Sequence, residues 1–438
     1  MNELNRGYLH PFWDGALYYY GVGELPRTVD RPLDLPLFAS LQLGLEQLRK
    51  HNHDTINIPD EDDAMSINIV DPFHFALVYG RTLMFGPNCD LIPVPRPPHF
   101  PLYGYLFSPN FSCLPTLFLV SPPNEALRVK ALSYITGIDP TLTQVYADIE
   151  SALATCIPLF EHALTDLHRN NPLCHRIPGT CTYTNWDEPD EPEHSDDDEG
   201  WNEYQLEMER WALRRPIEYP DVPVGGYKGG LETRKEKISL RGRTIKVILR
   251  VTDIHLTNIT PIEIEFRMPI CSPRDFDPGD TGATMRTWGL TDGAPRNQYL
   301  GSTTLRPGHS VSFPNIYQHK LSSARLQDDT KEGSMTIMSF FLTDPELSGA
   351  EIHDQESTIL STARVPPQQM SWIRRAVEES IDLRVPIELV EKIMGYVEGL
   401  MDEEDARKLA QGMREERERF WKIHDERWFS LPFDIWQA

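Results

Sequence analysis

The run Phe313-Pro-Asn-Ile-Tyr-Gln-His319-Lys, followed by Arg325, Gly333 and the apolar stretch Thr336 to Leu342, holds the residues best placed to do chemistry. A histidine near the end of a short strand becomes a metal ligand when a second histidine and a carboxylate converge on it from neighbouring strands. Such a set holds Fe(II) on one face and leaves the remaining positions open for oxygen and substrate. His319 has the late place in the chain that the second histidine of that set takes. The earlier His-x-Asp/Glu pair is not found where it belongs. His194-Ser-Asp196 matches the spacing but lies in an acidic stretch with no strand to fix it. His424-Asp-Glu426 falls on or after a C-terminal helix, in the wrong order along the chain. His319 is therefore a single candidate ligand, half of an iron site.

Other reactive patterns are missing or incomplete. The sequence has no Gly-x-Ser-x-Gly elbow, no His-Glu-x-x-His, no Walker loop and no dinucleotide glycine fingerprint. Gly308-His309-Ser310-Val311-Ser312 lacks the last glycine of the elbow. His168, Cys174, His175 and Cys181 have the residue types of a zinc site without the spacing of a standard finger. Gly225-Gly-Tyr-Lys-Gly-Gly230 reads as a hinge, because it lacks the Lys-Ser/Thr ending of a phosphate cradle.

Charge narrows the partners. The formal net charge is -24, with 66 acidic residues against 42 Lys and Arg. General binding to nucleic acid or to an anionic membrane is disfavoured, since both repel a chain of the same sign. The six cysteines are scattered and include no Cys-x-x-Cys pair, and no secretory leader is read at residues 1–24. These features predict an intracellular protein, cytoplasmic or nuclear, with no membrane-spanning segment.

The elements that would position His319 follow from periodicity. Residues 1–184 read as an α+β unit. Within it Asp139-Pro140 predicts a helix start, and Ile149, Leu153, Cys156, Ile157, Phe160, Leu164 and Leu167 recur at helical spacing, with a kink at Pro158. Residues 185–231 read as a linker, since nine of the thirteen residues from Asp187 to Glu199 are Asp or Glu. Residues 232–372 read as a β unit. Ile245, Val247, Leu249 and Val251 alternate with Lys246, Ile248, Arg250 and Thr252, and Ile262 to Met268 alternate likewise. Val311 and Phe313, then Ile337 to Leu342, complete the strand pattern of an antiparallel sandwich or jelly roll. Residues 373–438 form a helical tail. Pro386 opens one helix and Asp402 caps another, which carries Ala406, Leu409 and Met413 on one face and a Glu404–Lys408 pair on its surface. The tail is expected to pack on its own protein, and a protein partner would dock through the acidic linker or these helices.

Several motifs together resemble one family. They are Val70-Asp-Pro-Phe-His-Phe-Ala-Leu-Val-Tyr-Gly-Arg81-Thr, Leu132-Ser-Tyr-Ile, Leu240-Arg-Gly-Arg-Thr-Ile-Lys-Val-Ile, Ile254-His-Leu-Thr, Gly289-Leu-Thr-Asp-Gly-Ala, Phe313-Pro-Asn-Ile-Tyr-Gln-His and Val365-Pro-Pro-Gln-Gln. Over most of its length the chain resembles the fungal "domain of unknown function 4246" family, itself similar to Fe(II)/2-oxoglutarate oxygenases. The resemblance implies a double-stranded β-helix core, Fe(II) and 2-oxoglutarate as cofactors, and a late Gln-His motif matching Gln318-His319.

Two departures set the expectation for activity. The family places a Trp-His-Val-Glu motif between two segments that meet directly here, at Asn258-Ile259, so a block about two strands long is missing with the first histidine and the carboxylate. The family also tends to place Arg or Lys on the final strand, where this chain has Met335-Thr336. A 2-oxoglutarate carboxylate in a closed pocket needs a cationic partner. Arg325 is the candidate substitute, although an exposed structural arginine is its plainer role. The expectation is an α+β protein with a jelly-roll core left incomplete, oxygenase-like and without catalysis as written. Two alternatives stand beside it: an active oxygenase whose sequence has lost a segment, and a non-catalytic interaction module.

Overall fold

A computed structural model of the protein describes residues 35–52, 59–60, 63–85, 91–96, 108–139, 141–167, 182–183, 187–214, 217–218, 237–256, 263–269, 293–304, 307–308, 310–313, 318–321, 333–343, 345, 359–360, 386, 389, 392 and 403–434. Among the described residues the long helices are α1 (Leu35–Asn52), α2 (Thr143–Leu167), α3 (Asp198–Arg214) and α4 (Glu403–His424). The principal strands are β1 (Pro59–Asp60), β2 (Asp63–Val70), β3 (Thr116–Val120), β4 (Val129–Ala131), β5 (Thr244–Leu256), β6 (Glu263–Pro269), β7 (Asn297–Thr304), β8 (Gln318–Leu321) and β9 (Gly333–Leu342). The class is α+β, and among the described residues every ladder is antiparallel.

The central strand is β5. It pairs along Val247–Leu256 with β9, along Val251–Ile254 with β2, and along Thr244–Val247 with β3. Strands from the first 184 residues and strands from beyond residue 232 thus share one six-stranded sheet. The alternation read from the sequence places Ile245, Val247, Leu249 and Val251 on one face, where they are buried against α1 and α2. A strand beyond the reach of water on one side needs this two-residue period, because a slip of one residue would turn the whole set outward.

α2 matches the predicted face, with Ile149, Leu153, Ile157, Phe160 and Leu164 all buried. It starts later than Asp139-Pro140 predicts. The Asp139 carboxylate instead accepts the Thr141 N–H and hydroxyl, both at 2.8 Å, and closes a turn before the helix begins at Thr143. Pro158 lies inside the helix between buried Ile157 and Leu159, so packing on both sides holds a residue that costs the helix a hydrogen bond. Residues 310–313 belong to no strand, and Pro314, which lacks an N–H, follows them directly.

The other face of the central sheet is covered by α4. Ile248 and Phe341 pack with Phe73, Phe111, Ala410 and Met413. Polar contacts set the register of this docking: Arg414 Nη2 meets Asp71 Oδ2 at 2.5 Å, Arg81 meets Asp405 at 2.9 Å, and Arg417 stacks over the Phe73 ring at 5.2 Å. The Glu416 carboxylate accepts from the Ser108 hydroxyl and, at 2.7 Å, from the Asn110 amide. The helix that sequence places on its own protein does pack there, and Glu404 accepts the predicted bond from Lys408 at 2.8 Å. Of the helix opened by Pro386 only residues 386, 389 and 392 are described, and there the Leu389 N–H donates to the Pro386 carbonyl at 3.0 Å.

Both members of the Arg414–Asp71 pair are mostly shielded, with side-chain exposures of 18% and 14%. Removing one partner leaves a charge with little water to solvate it. Arg414→Met is expected to destabilise by on the order of 3 kcal/mol, and the double change Asp71→Leu with Arg414→Met by clearly less. Urea titration of the variants measures this, and additive losses would mean the two residues do not interact.

Candidate functional site

His319 sits on β8, a four-residue strand paired with β6 so that it lies opposite Phe266. Strand alternation turns Gln318 and His319 to opposite sides. The Gln318 amide donates to Asp425 Oδ1 at 3.0 Å, beneath the C-terminal end of α4. The His319 ring is exposed and meets Phe313 edge-on, with centroids 4.8 Å apart. Buried Phe313 therefore positions the histidine that the sequence singles out. His424-Asp-Glu426 is brought close to Gln318 through Asp425, but on the side of β8 that His319 does not use. Among the described residues no three His, Cys, Asp or Glu side chains come together as a metal-binding group. The donor set around His319 there falls short of the three ligands of a facial iron site.

A different polar cluster forms on the large sheet. Asp253 continues the inward series of Val247, Leu249 and Val251, which makes it a carboxylate on an apolar face, 5% exposed. Arg49 from α1 answers it with a forked contact: Nε to Oδ2 at 2.5 Å and Nη2 to Oδ1 at 2.9 Å. Thr336, opposite Asp253 on β9, accepts from Arg49 Nη2 at 2.7 Å and donates to Asp253 Oδ1 at 2.5 Å. The hydrogen bond to Asp253 is the main reason that the Arg49 guanidinium is held more firmly protonated than usual, against the opposing effect of burial. Thr336, read from sequence as standing where a cation was expected, thus belongs to a cluster whose cation comes from a helix and already has its anion.

A run of aromatic rings closes the far end of α4. His424 is buried, stacked on Phe420 at 5.3 Å and flanked by Trp421 and Phe429. The helix ends in a π-helical turn, Asp425–Phe429. From there the chain reaches β7: Arg296 N–H donates to Leu431 O, Gly293 N–H to Phe433 O, Phe433 N–H to Ala294 O and the Asn297 amide to Phe429 O, each at 2.8 Å.

A model of a protein family of unknown function, DUF4246, matches residues 28–257 and 257–376. The chain belongs to this family. No curated protein and no solved structure matches it. Several motifs that carry the resemblance to DUF4246 turn out to be structural locks. Asp71, Phe73 and Arg81 hold α4, and Gly293 and Ala294 hold the chain end. Arg241 donates to the carbonyls of Ser121, Pro122 and Glu125, while Gly242 takes a positive φ of 74° in the turn before β5.

Arg325, the cysteine–histidine group at 168–181 and the glycine-rich hinge lie outside the described residues. No helix among the described residues is long and apolar enough to cross a membrane. Sequence reasoning missed the Arg49–Asp253–Thr336 cluster. Its signal was present: an acid at the next inward position of an apolar series demands a partner.

Burial pushes the His424 imidazole down to about 4 from its usual 6.5, with the neighbouring Asp425 opposing the shift. Between these values the unfolded chain binds the proton and the folded one does not. Stability is therefore complete above about pH 6.5 and falls as pH drops towards 4, by at most on the order of 3 kcal/mol. Comparing urea midpoints of the native chain and His424→Phe from pH 7 downward should show the gap between them changing in that window and flat above it.

Proposed function

We propose that this DUF4246 member is an oxygenase-like protein whose iron centre is incomplete and which does not catalyse in this form. The observation that carries the reading is the Arg49–Asp253–Thr336 cluster. It lies where the resemblance calls for a lone cation to receive the 2-oxoglutarate carboxylate, and a protein carboxylate already fills that role. A dicarboxylate would have to displace Asp253 from a forked pair on a mostly buried face, which leaves that acid unpaired. The exposure of His319 supports the same reading, since a working iron ligand is sheltered from competing water. The jelly-roll assignment draws on the antiparallel pairing of both the six-stranded and the three-stranded sheet.

A second reading has its own support. The two stretches that match the family abut at residue 257, beside the Asn258-Ile259 junction where the Trp-His-Val-Glu block is missing. An oxygenase whose sequence has lost a segment would produce that break. An open reading frame encoding His-x-Glu in the genomic DNA across this junction would establish it.

Metal analysis after anaerobic loading tests the first reading directly. The native chain and His319→Ala are expected to retain the same trace of Fe(II), because one imidazole forms no chelate. The thermal midpoint should not rise with 2-oxoglutarate in either the native chain or Arg325→Ala. Stoichiometric iron lost on substitution of His319, or stabilisation by 2-oxoglutarate lost on substitution of Arg325, would overturn the proposal.

A further inference from the structure

The acidic region lies between two short strands that pair with each other. Tyr183 pairs with Ile217 and Thr182 with Glu218 in a short antiparallel ladder. Between them the acidic run leads into α3. The Asp197 carboxylate accepts the Gly200 N–H at 2.9 Å, Asp198 and Glu199 occupy the first turn and Arg214 the last. Acids at the start and a base at the end suit the helix dipole, so the run that sequence reads as linker also starts a helix.

One face of α3 is aromatic. Trp201, Tyr204, Met208 and Trp211 recur at spacings of three, four and three, and Trp201 meets Tyr204 edge-on at 5.6 Å. An amphipathic helix in a globular protein normally buries such a stripe. Here none of the helix's described side chains is buried, and the four stripe residues are half-buried. Residues 187–214 carry twelve acids against two arginines.

We infer that α3 is a docking helix for a basic protein partner, one with an apolar groove rimmed by lysine and arginine. The aromatic and methionine side chains are the types that fill interface cores and act as anchors. The flanking acids set the sign of the partner's rim and speed the encounter. The same charge argues against the other occupants. A second copy would bring another twelve acids to the contact, and nucleic acid or an anionic bilayer would repel the arm. The recognition mode is a helix laid in a groove, with anchors one turn apart. The inference is independent of the iron-site proposal, since it uses neither His319 nor Asp253.

The test uses the full chain and purified core histones as a basic, folded probe, with polylysine as a basic probe that has no groove. At physiological salt, core histones are expected to bind saturably with a blue shift of tryptophan fluorescence. Trp201→Ala with Met208→Ala should weaken binding about tenfold, the loss expected from removing central anchors. Neutralising the acids of 187–199 to Asn and Gln should slow association and flatten its salt dependence. The Trp201/Met208 variant should keep the native thermal midpoint. The inference fails if core histones do not bind, if the anchor variant binds as well as the native chain, or if polylysine gives the same affinity and spectral shift. A lowered midpoint in that variant would show the stripe packed within the chain, and self-association abolished by it would show a second copy as occupant. Either result also overturns the inference.

Discussion

Strand β5 is the constraint on which the rest of the fold depends. β9 runs along one of its edges, and β3 and β2 share the other. One of its faces lies under α1 and α2, and the middle of the opposite face lies under α4. A strand enclosed in this way cannot shift register or turn over without undoing contacts in every layer. It also explains why residues far apart in sequence are joined in one sheet: no local hairpin could supply β5 with partners on both edges.

The enclosure makes Asp253 expensive to accommodate and determines what surrounds it. A carboxylate in that position requires a cation, and α1 is the element that passes over it, so Arg49 ties a helix to the central strand while Thr336 ties in β9. Comparable logic governs the C-terminal helix. Its apolar stripe supplies the contact area, while Asp71, Arg81, Ser108 and Asn110 choose its orientation through specific partners. In this member of the family the buried polar groups are used chiefly to fix how elements sit on one another.

Much of this was legible in the sequence. The period of two from Ile245 to Val251 and the period of 3.6 along Ile149 to Leu164 each follow from one buried face, so pattern alone gave those elements and their orientation. The docking of α4 was legible for a similar reason, through Ala406 and Met413. Other features depended on contacts that pattern does not encode. Which arginine serves Asp253 is decided by how α1 crosses the sheet, and nothing in the run from Leu35 to Asn52 marks Arg49 out. α3 was hidden because its acids read as an unstructured run, although the final members of that run are good helix starters. Ile248 was read as the outward residue of an alternating strand, yet it is buried, since a helix from the end of the chain covers that side.

The sequence distances across these locks shape how the molecule comes into being. Arg414 meets Asp71 across 343 residues and Arg81 meets Asp405 across 324. During synthesis the segment around Asp71 emerges long before the helix that covers it, and for most of translation Phe73 and Phe111 have no Met413 to pack against. Contacts of such long range form slowly, and apolar surface left open meanwhile is a target for aggregation. The native arrangement is therefore reached only once translation has passed residue 424. Until then the apolar surface around Phe73 and Phe111 lacks the helix that covers it.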